Sequence, residues 1–306
     1  MDDRIGISVS SQKIQVVEVG FQDGGRLLNH IDEALLPAPL NFTSDKEVVL
    51  LSGLQSAFNI LAERTNLKNR QVSIALPPEF FYSFTVPADQ TIVKQDLMDN
   101  FRWEFSVLFP FLTSEDYSLN YYEIDRPGSM SKERRVIVFA LSRKIINLLI
   151  MVCKRNNLEI KLIDHSHFSA DKSLLMNRAE LLNGSLVSVC ISTNYFSVEY
   201  LDQGKPQYFN GRGFDSTQEF LHNLSEELQA INDAGYILNN LENFFLTGDS
   251  LSEPLLSAVR NATRYPFQMS NPFSALILGG AGLNKELLHT RNYNFNSAAG
   301  LCYRLI

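Results

Sequence analysis

Two stretches half a chain apart carry the same alternation of apolar and polar residues. Ile7-Ser8-Val9-Ser10-Ser11-Gln12-Lys13-Ile14-Gln15-Val16 lines up with Val189-Cys190-Ile191-Ser192-Thr193-Asn194-Tyr195-Phe196-Ser197-Val198. Each reads as an apolar strand, a short polar turn and a second strand of period two. The alternation is clearest where Phe196, Val198 and Tyr200 oppose Ser197 and Glu199. Such a repeat implies two lobes of related architecture.

Between the hairpins, strand and helix periods intermix. Ser44 and Glu47 make a capping-box pattern ahead of Val48, Leu51, Leu54, Phe58 and Leu61, an amphipathic stripe. Residues 71–76 read as a buried strand closed by Pro77-Pro78, and 80–86 as a further strand. Val93, Leu97, Phe101, Phe105 and Leu108 form a helical stripe stopped by Pro110. Residues 117–124 and 136–141 pair as a hairpin across Pro127-Gly128, followed by a helix at 144–155 and a strand at 159–163. After the second hairpin come Gly211-Arg212-Gly213, a helix at 216–232, and strands at 244–246 and 275–278 that each run into glycine. Mixed sheets covered by helices follow from this order, an α/β class.

Composition narrows the partners. At 306 residues the chain exceeds one small core, and a net charge of -7 without a basic run argues against nucleic acid. The densest basic cluster, Lys132-Glu133-Arg134-Arg135, follows a Pro-Gly-Ser loop and reads as a solvated hairpin end. Cys153, Cys190 and Cys302 are far apart among apolar neighbours, which implies buried free thiols in a reducing compartment and no zinc spacing. Met1-Asp2-Asp3-Arg4 runs straight into a strand, and the apolar stretch 145–152 is too short to span a bilayer. A cytoplasmic chain is the expectation, one still able to dock on a membrane protein.

Short motifs along nearly the whole chain resemble the PilM family, the actin-like component of type IV pilus assembly platforms. Ile5-Gly6-Ile7-Ser8-Val9-Ser10-Ser11 is similar to the family's opening Ile-Gly-Ile-Asp-Ile-Gly-Ser, and residues 71–77 to its strand ending in proline. Trp103-Glu104 with Phe109-Pro110-Phe111, residues 164–170 (DHSHFSA), Thr247-Gly248, Asn271-Pro272-Phe273 and residues 295–301 resemble later family motifs in order and spacing. The resemblance implies an actin-like two-lobe fold with a β/α subdomain inserted in the first lobe. Residues 1–79 and 164–184 would form the first lobe, 80–163 the insertion, and 185–306 the second lobe with a reduced helical subdomain. It also implies ATP between the lobes and the cytoplasmic tail of the membrane protein PilN in a groove beside the insertion.

Carried over residue by residue, the nucleotide motif is degenerate. An actin-like ATPase wraps phosphate with backbone N–H groups where glycine permits close approach, and holds hydrated magnesium with aspartate. Here Ser8 stands for the aspartate and Ser10 for the glycine of the first hairpin, and Cys190 and Ser192 for those of the second. A thiol is a poor magnesium ligand, since hard cations take oxygen. Gln15 replaces a basic residue, and the nucleoside loop reads Gly248-Asp249 in place of Gly-Gly. The stretch from Gly213 to Gly248 leaves room for about one long helix and a short one. No ATP hydrolysis is therefore expected, and at most weak Mg-ATP binding through the turn at Ser10-Ser11-Gln12, with Thr193 a further position of the degenerate site.

Other signals have bland readings. Gly279-Gly280-Ala281-Gly282 lacks the Lys-Ser/Thr of a P-loop and reads as a turn. His165 and His167 alternate on an expected strand, but with no third ligand nearby no metal is expected. Phe80, Tyr82 and Phe84 would share one strand face and line the tail groove, or pack in the core. The expected role is a scaffold of a pilus or type II secretion-like platform, with the cytoplasmic domain of GspL similar in kind. Its partners would be a PilN-like tail, and beyond it other platform subunits, an assembly ATPase or further copies of itself. The alternatives are an active actin-like ATPase with altered ligands, and an FtsA-like division protein. The closing Leu301-Cys302-Tyr303-Arg304-Leu305-Ile306, without a linker and amphipathic helix, disfavours the latter.

Overall fold

The computed structural model describes residues 2–22, 25–65, 67, 70–88, 94–124, 134–279 and 283–304. The chain opens on β1 (Asp2–Val9), β2 (Lys13–Gln22) and β3 (Gly25–Leu35), an antiparallel meander that sets Val9 opposite Ile14 and Lys13 opposite Leu35. Residues 13–17 of β2 are all buried, because this sheet is covered on both faces. Helix α1 (Glu47–Arg64) returns the chain to β4 (Gln71–Leu76), which lies parallel to β1 with Ile74 beside Ile7. A three-stranded unit then intervenes: β5 (Phe81–Ala88), α2 (Lys94–Leu108), β6 (Tyr117–Ile124) and β7 (Arg134–Ser142), in sheet order β5-β7-β6. Its core packs Leu97, Phe101 and Phe105 of α2 on Phe84, Val86, Val136 and Val138.

Helix α3 (Arg143–Arg155) and β8 (Glu159–His165) resume the first lobe, β8 running parallel to β4. Helix α4 (Ser166–Asn177) crosses to the second lobe, where β9 (Ser185–Ile191), β10 (Tyr195–Asp202) and β11 (Lys205–Gly213) form a second meander. Helix α5 (Thr217–Asp233) and a 3-10 turn at Leu238–Asn240 lead to β12 (Phe244–Gly248), parallel to β9; α6 (Glu253–Thr263) and β13 (Phe267–Met269) complete the sheet. The chain closes with β14 (Ile277–Leu278), α7 (Lys285–Thr290) and α8 (Asn296–Leu301). The sheet orders, β14-β3-β2-β1-β4-β8 and β11-β10-β9-β12-β13, follow one scheme. In each, a meander's first strand continues into parallel strands, so the hairpin repeat of the sequence is a repeat of topology.

Several boundaries differ from those the sequence implied. The insertion is shorter than 80–163, since α3 packs with α1 over the first sheet and β8 pairs with β4. A parallel neighbour needs a crossover, and α3 is that crossover. Nor does the second lobe extend from 185 to 306: β14 pairs with β3, and Phe273, Leu287, Phe295 and Tyr303 pack on Val17, Val19 and Leu28 of the first. Helix α1 lacks the capping box; Lys46 sits at its N-cap without a side-chain bond, and Leu50 replaces the exposed Val48 on its buried face. Phe80 lies in a 3-10 turn at Pro78–Phe80, outside the strand, and the expected strand at His167 is the start of α4. Val93, Lys132, Glu133, the Pro127-Gly128 turn and most of the 279–282 glycine run lie outside the described residues.

Helix α8 is pressed between two backbones. A Cβ on Gly6 of β1 would stand 2.0 Å from the Ala298 carbonyl oxygen, and one on Gly300 would stand 1.6 Å from that of Ser169 in α4. Helices α4 and α8 therefore meet at glycine-limited distance where the two lobes join.

Candidate functional site

The two hairpin turns face each other where the lobes meet, and they close in the same way. Ser10 N–H donates to the Lys13 carbonyl at 2.9 Å, and Ser192 N–H to that of Tyr195 at 2.9 Å. In the first turn Ser10 Oγ accepts from Lys13 N–H at 3.2 Å and lies 3.4 Å from Gln12 N–H. These are the amides a phosphate-binding turn would aim at its anion. The side chain added where the motif wants glycine occupies them itself. Across the cleft, Ser11 Oγ lies 3.3 Å from Thr193 Oγ1.

Lys13 spans the remaining gap. Its ammonium donates to the Asp249 carbonyl oxygen at 2.7 Å and lies 3.4 Å from Glu33, so the first hairpin is tied to the loop after β12. Glu33 also accepts from Gln15 Nε2 at 3.2 Å and pairs with Arg291 at 2.7 Å. The charges behind the turn are thus matched by protein groups. Gly248 adopts φ +134°, and a Cβ there would meet the Ile191 carbonyl oxygen at 2.0 Å, so backbone approach to the second hairpin requires this glycine. Burial pushes the Cys190 thiol up to about 12, leaving it protonated beside Ser166 Oγ at 3.6 Å. A neutral buried thiol does not ligate magnesium. Ser8 is buried in β1, a hydroxyl where the motif has a carboxylate.

A cavity of about 690 Å³ opens beside the closed turns. One wall is Ser11, Gln12 and Thr193; the other is Tyr82, Tyr117 and Lys144 from the insertion and α3. Phe80 lines it and stacks on Phe42 with ring centroids 4.5 Å apart. Tyr82 is 38% exposed, whereas Phe84 is 9% exposed and belongs to the insertion's core with Phe105 and Phe109. The three aromatics expected on one strand face are therefore divided between floor, wall and core. Glu79 lies within hydrogen-bond reach of Ser192, 2.8 Å away, and burial raises its carboxyl to about 7. Ser192 also lies 3.0 Å from the Tyr195 carbonyl. Protonated Glu79 can donate to Ser192, whose one proton then serves that carbonyl, which satisfies all three groups.

No family model matches the sequence, and no curated protein matches it. Among solved structures it is similar to the PilM-PilN type IV pilus biogenesis complex, with TM-score 0.75, 16% identity and 98% of each chain covered. A Bacteroides thetaiotaomicron protein with actin-like ATPase fold and unknown function gives TM-score 0.51 at 15% identity, covering 90% of this chain and 92% of that one. The fold is actin-like. The ethanolamine utilization protein EutJ from Carboxydothermus hydrogenoformans also matches, with TM-score 0.53, 9% identity, and 99% and 89% covered.

Within this actin-like frame, Ser10, Ser11, Gln12, Ser192, Thr193, Gly248 and Asp249 converge on the inter-lobe cleft, while Gln15 turns inward to Glu33. Lys13, Glu79 and Arg291 are residues of this candidate site that sequence reasoning missed. Lys13 had a signal, a lone lysine inside an otherwise uncharged turn. Glu79 follows a Pro-Pro pair and Arg291 comes from a segment returning to the first lobe, neither of which marks a cleft.

Proposed function

We propose that this chain is a cytoplasmic actin-like scaffold of a type IV pilus or type II secretion-like platform. In this reading it holds the cytoplasmic tail of a PilN-like inner-membrane protein, peripheral to the membrane through that partner, and does not hydrolyse ATP. One contrast carries the reading: the turn that would bind phosphate is occupied by Ser10 and latched by Lys13, while an aromatic-walled cavity beside it stays open. Among the described residues no helix is long and apolar enough to cross a membrane. An extended peptide suits a cavity walled by Tyr82 and Tyr117, whose hydroxyls and ring faces offer polar and apolar contacts together.

The test is fluorescence anisotropy with a labelled peptide of the PilN-like cytoplasmic tail. Tyr82→Ala and Lys144→Ala should each weaken binding by roughly fivefold or more, about 1 kcal/mol, in proteins of unchanged circular dichroism. Equal affinity in wild type and both variants would overturn the groove. In parallel, Mg-ATP titration should give no thermal shift, where real binding at about a hundredfold excess over Kd would stabilise by about 2.7 kcal/mol.

A further inference from the structure

Away from the cleft, the face of the second sheet that meets α4 is polar at its centre. Ser188 of β9 sits opposite Glu199 of β10, and Ser197 lies two residues before it on the same face. Facing them are His167, in the first turn of α4, and Asp171 one turn later. All are sealed from solvent: His167, Ser188, Ser197 and Glu199 are 0% exposed and Asp171 is 3%. One ligand atom from each of His167, Asp171 and Glu199 falls within 4.8 Å of the others. The sequence offered His165 as the second histidine. Instead His165 turns into an aromatic cluster with Phe81, Phe139 and Phe168, and the added ligands are two carboxylates.

The hydrogen bonding leaves this cluster incomplete. His167 Nδ1 lies 2.7 Å from Ser197 Oγ, and its Nε2 lies 2.8 Å from Ser188 Oγ and 3.5 Å from Asp171 Oδ2. Ser188 donates to that same Asp171 oxygen at 3.0 Å. No donor group reaches either oxygen of Glu199 or Oδ1 of Asp171, and the contact Glu199 does make there is carboxyl to carboxyl, with Asp171. Arg304 is committed elsewhere, to Asp164 at 2.6 Å and to Tyr122 at 2.6 Å. Two buried carboxyl groups therefore crowd one imidazole, with Ser188 donating to one oxygen of Asp171 and no donor on Glu199, an arrangement costly unless a positive charge, a proton or a cation, completes it.

We infer that His167, Asp171 and Glu199 form a buried divalent-cation site of the zinc or manganese class, which ties α4 to the second-lobe sheet. The donor set is one imidazole nitrogen and two carboxylate oxygens, with Ser188 Oγ at hand as a fourth. Imidazole favours first-row transition cations over magnesium and calcium, which take oxygen and retain water for which full burial leaves little space. Zinc–ligand bonds of about 2.0–2.2 Å set ligand atoms about 3.4 Å apart, so inward movements below about 1 Å per side chain complete the shell. Ser197 stands where a ligating histidine usually finds its outer oxygen partner, on Nδ1. A site so enclosed would load as the chain folds.

The experiment uses the full chain. Metal content is measured by inductively coupled plasma mass spectrometry after expression in medium supplemented with zinc and manganese. Protein unfolded in chelator is then refolded with zinc, manganese, magnesium or cobalt(II) chloride. The expected result is about one equivalent of zinc or manganese per chain. Free zinc or manganese at about a hundredfold excess over Kd should raise Tm by about 5 °C, with no response to magnesium. Cobalt(II) should give a visible d–d band in the wild type that Glu199→Gln and Asp171→Asn both lose. Metal-free protein with no Tm response and no cobalt band overturns the site, and gain of stability in metal-free Glu199→Gln would then identify two carboxyls sharing a proton.

Discussion

Gly300→Ala sets two effects of opposite sign against each other. Alanine is the better helix former, which by itself favours the variant by about 1 kcal/mol. The added Cβ, however, would stand 1.6 Å from Ser169 O, 2.5 Å from its carbonyl carbon and 3.2 Å from Ser173 N. Ordinary contact begins near 3.4 Å, so α4 and α8 must part by well over 1 Å. Helix α8 cannot retreat, because Gly6 already brings β1 against the Ala298 carbonyl on its other side. The obstacles are backbone atoms, with no side-chain tip to rotate away. Overpacking of this kind costs about 1–3 kcal/mol and more where backbone must move. The net expectation is a loss of about 2 kcal/mol or more, a large part of the stability of a typical domain. Urea denaturation followed by circular dichroism should show a lower midpoint at unchanged slope. Gly184→Ala is the control, since a Cβ there meets nothing within 4 Å, and it should lie within about 0.5 kcal/mol of wild type. A Gly300→Ala midpoint equal to or above wild type would refute the idea that backbone contact between α4 and α8 limits this position.

Glu79→Gln should remove a pH dependence. The folded pKa of about 7 lies above the unfolded 4.5, so its contribution is fully present below pH 4.5 and is lost as pH rises towards 7. Wild type should therefore lose up to about 3 kcal/mol relative to the Gln variant across that window, measured by urea titrations at stepped pH; parallel curves would refute it. Lys13→Met removes the bond to the Asp249 carbonyl and the contact with Glu33, leaving that carboxylate to Gln15 and Arg291. A loss of about 1–3 kcal/mol in the same assay is expected, without gain of Mg-ATP binding. Arg304→Met leaves the buried Asp164 carboxylate with Ser169 as its remaining side-chain donor at 2.8 Å. A destabilisation of about 3 kcal/mol in thermal melts checks it.

Both hairpins, α3, and β4 with its proline stop were legible in the chain, because period-two and helical alternation report which side of one element faces the core. That signal is local, as are the serines at Ser10 and Ser192. The start of α1 fared worse: Asn41 Oδ1 accepts from the amides of Thr43 and Ser44 in a turn ahead of it, so the expected cap never forms. What only the tertiary structure decided were the returns and meetings. β8 and β14 join the first sheet through parallel pairing with β4 and β3, and a parallel partner leaves no mark at any fixed spacing. The sequence alone put Ser8 and Ser10 where the resembled motif has aspartate and glycine. That Ser10 fills its own amides, that Lys13 reaches Asp249, and that Glu199 comes within 4.8 Å of His167 and Asp171 depended on which backbones pack face to face. Those distances are set by the sandwich of β1, α8 and α4 against the second sheet, and a chain read residue by residue contains no measure of them.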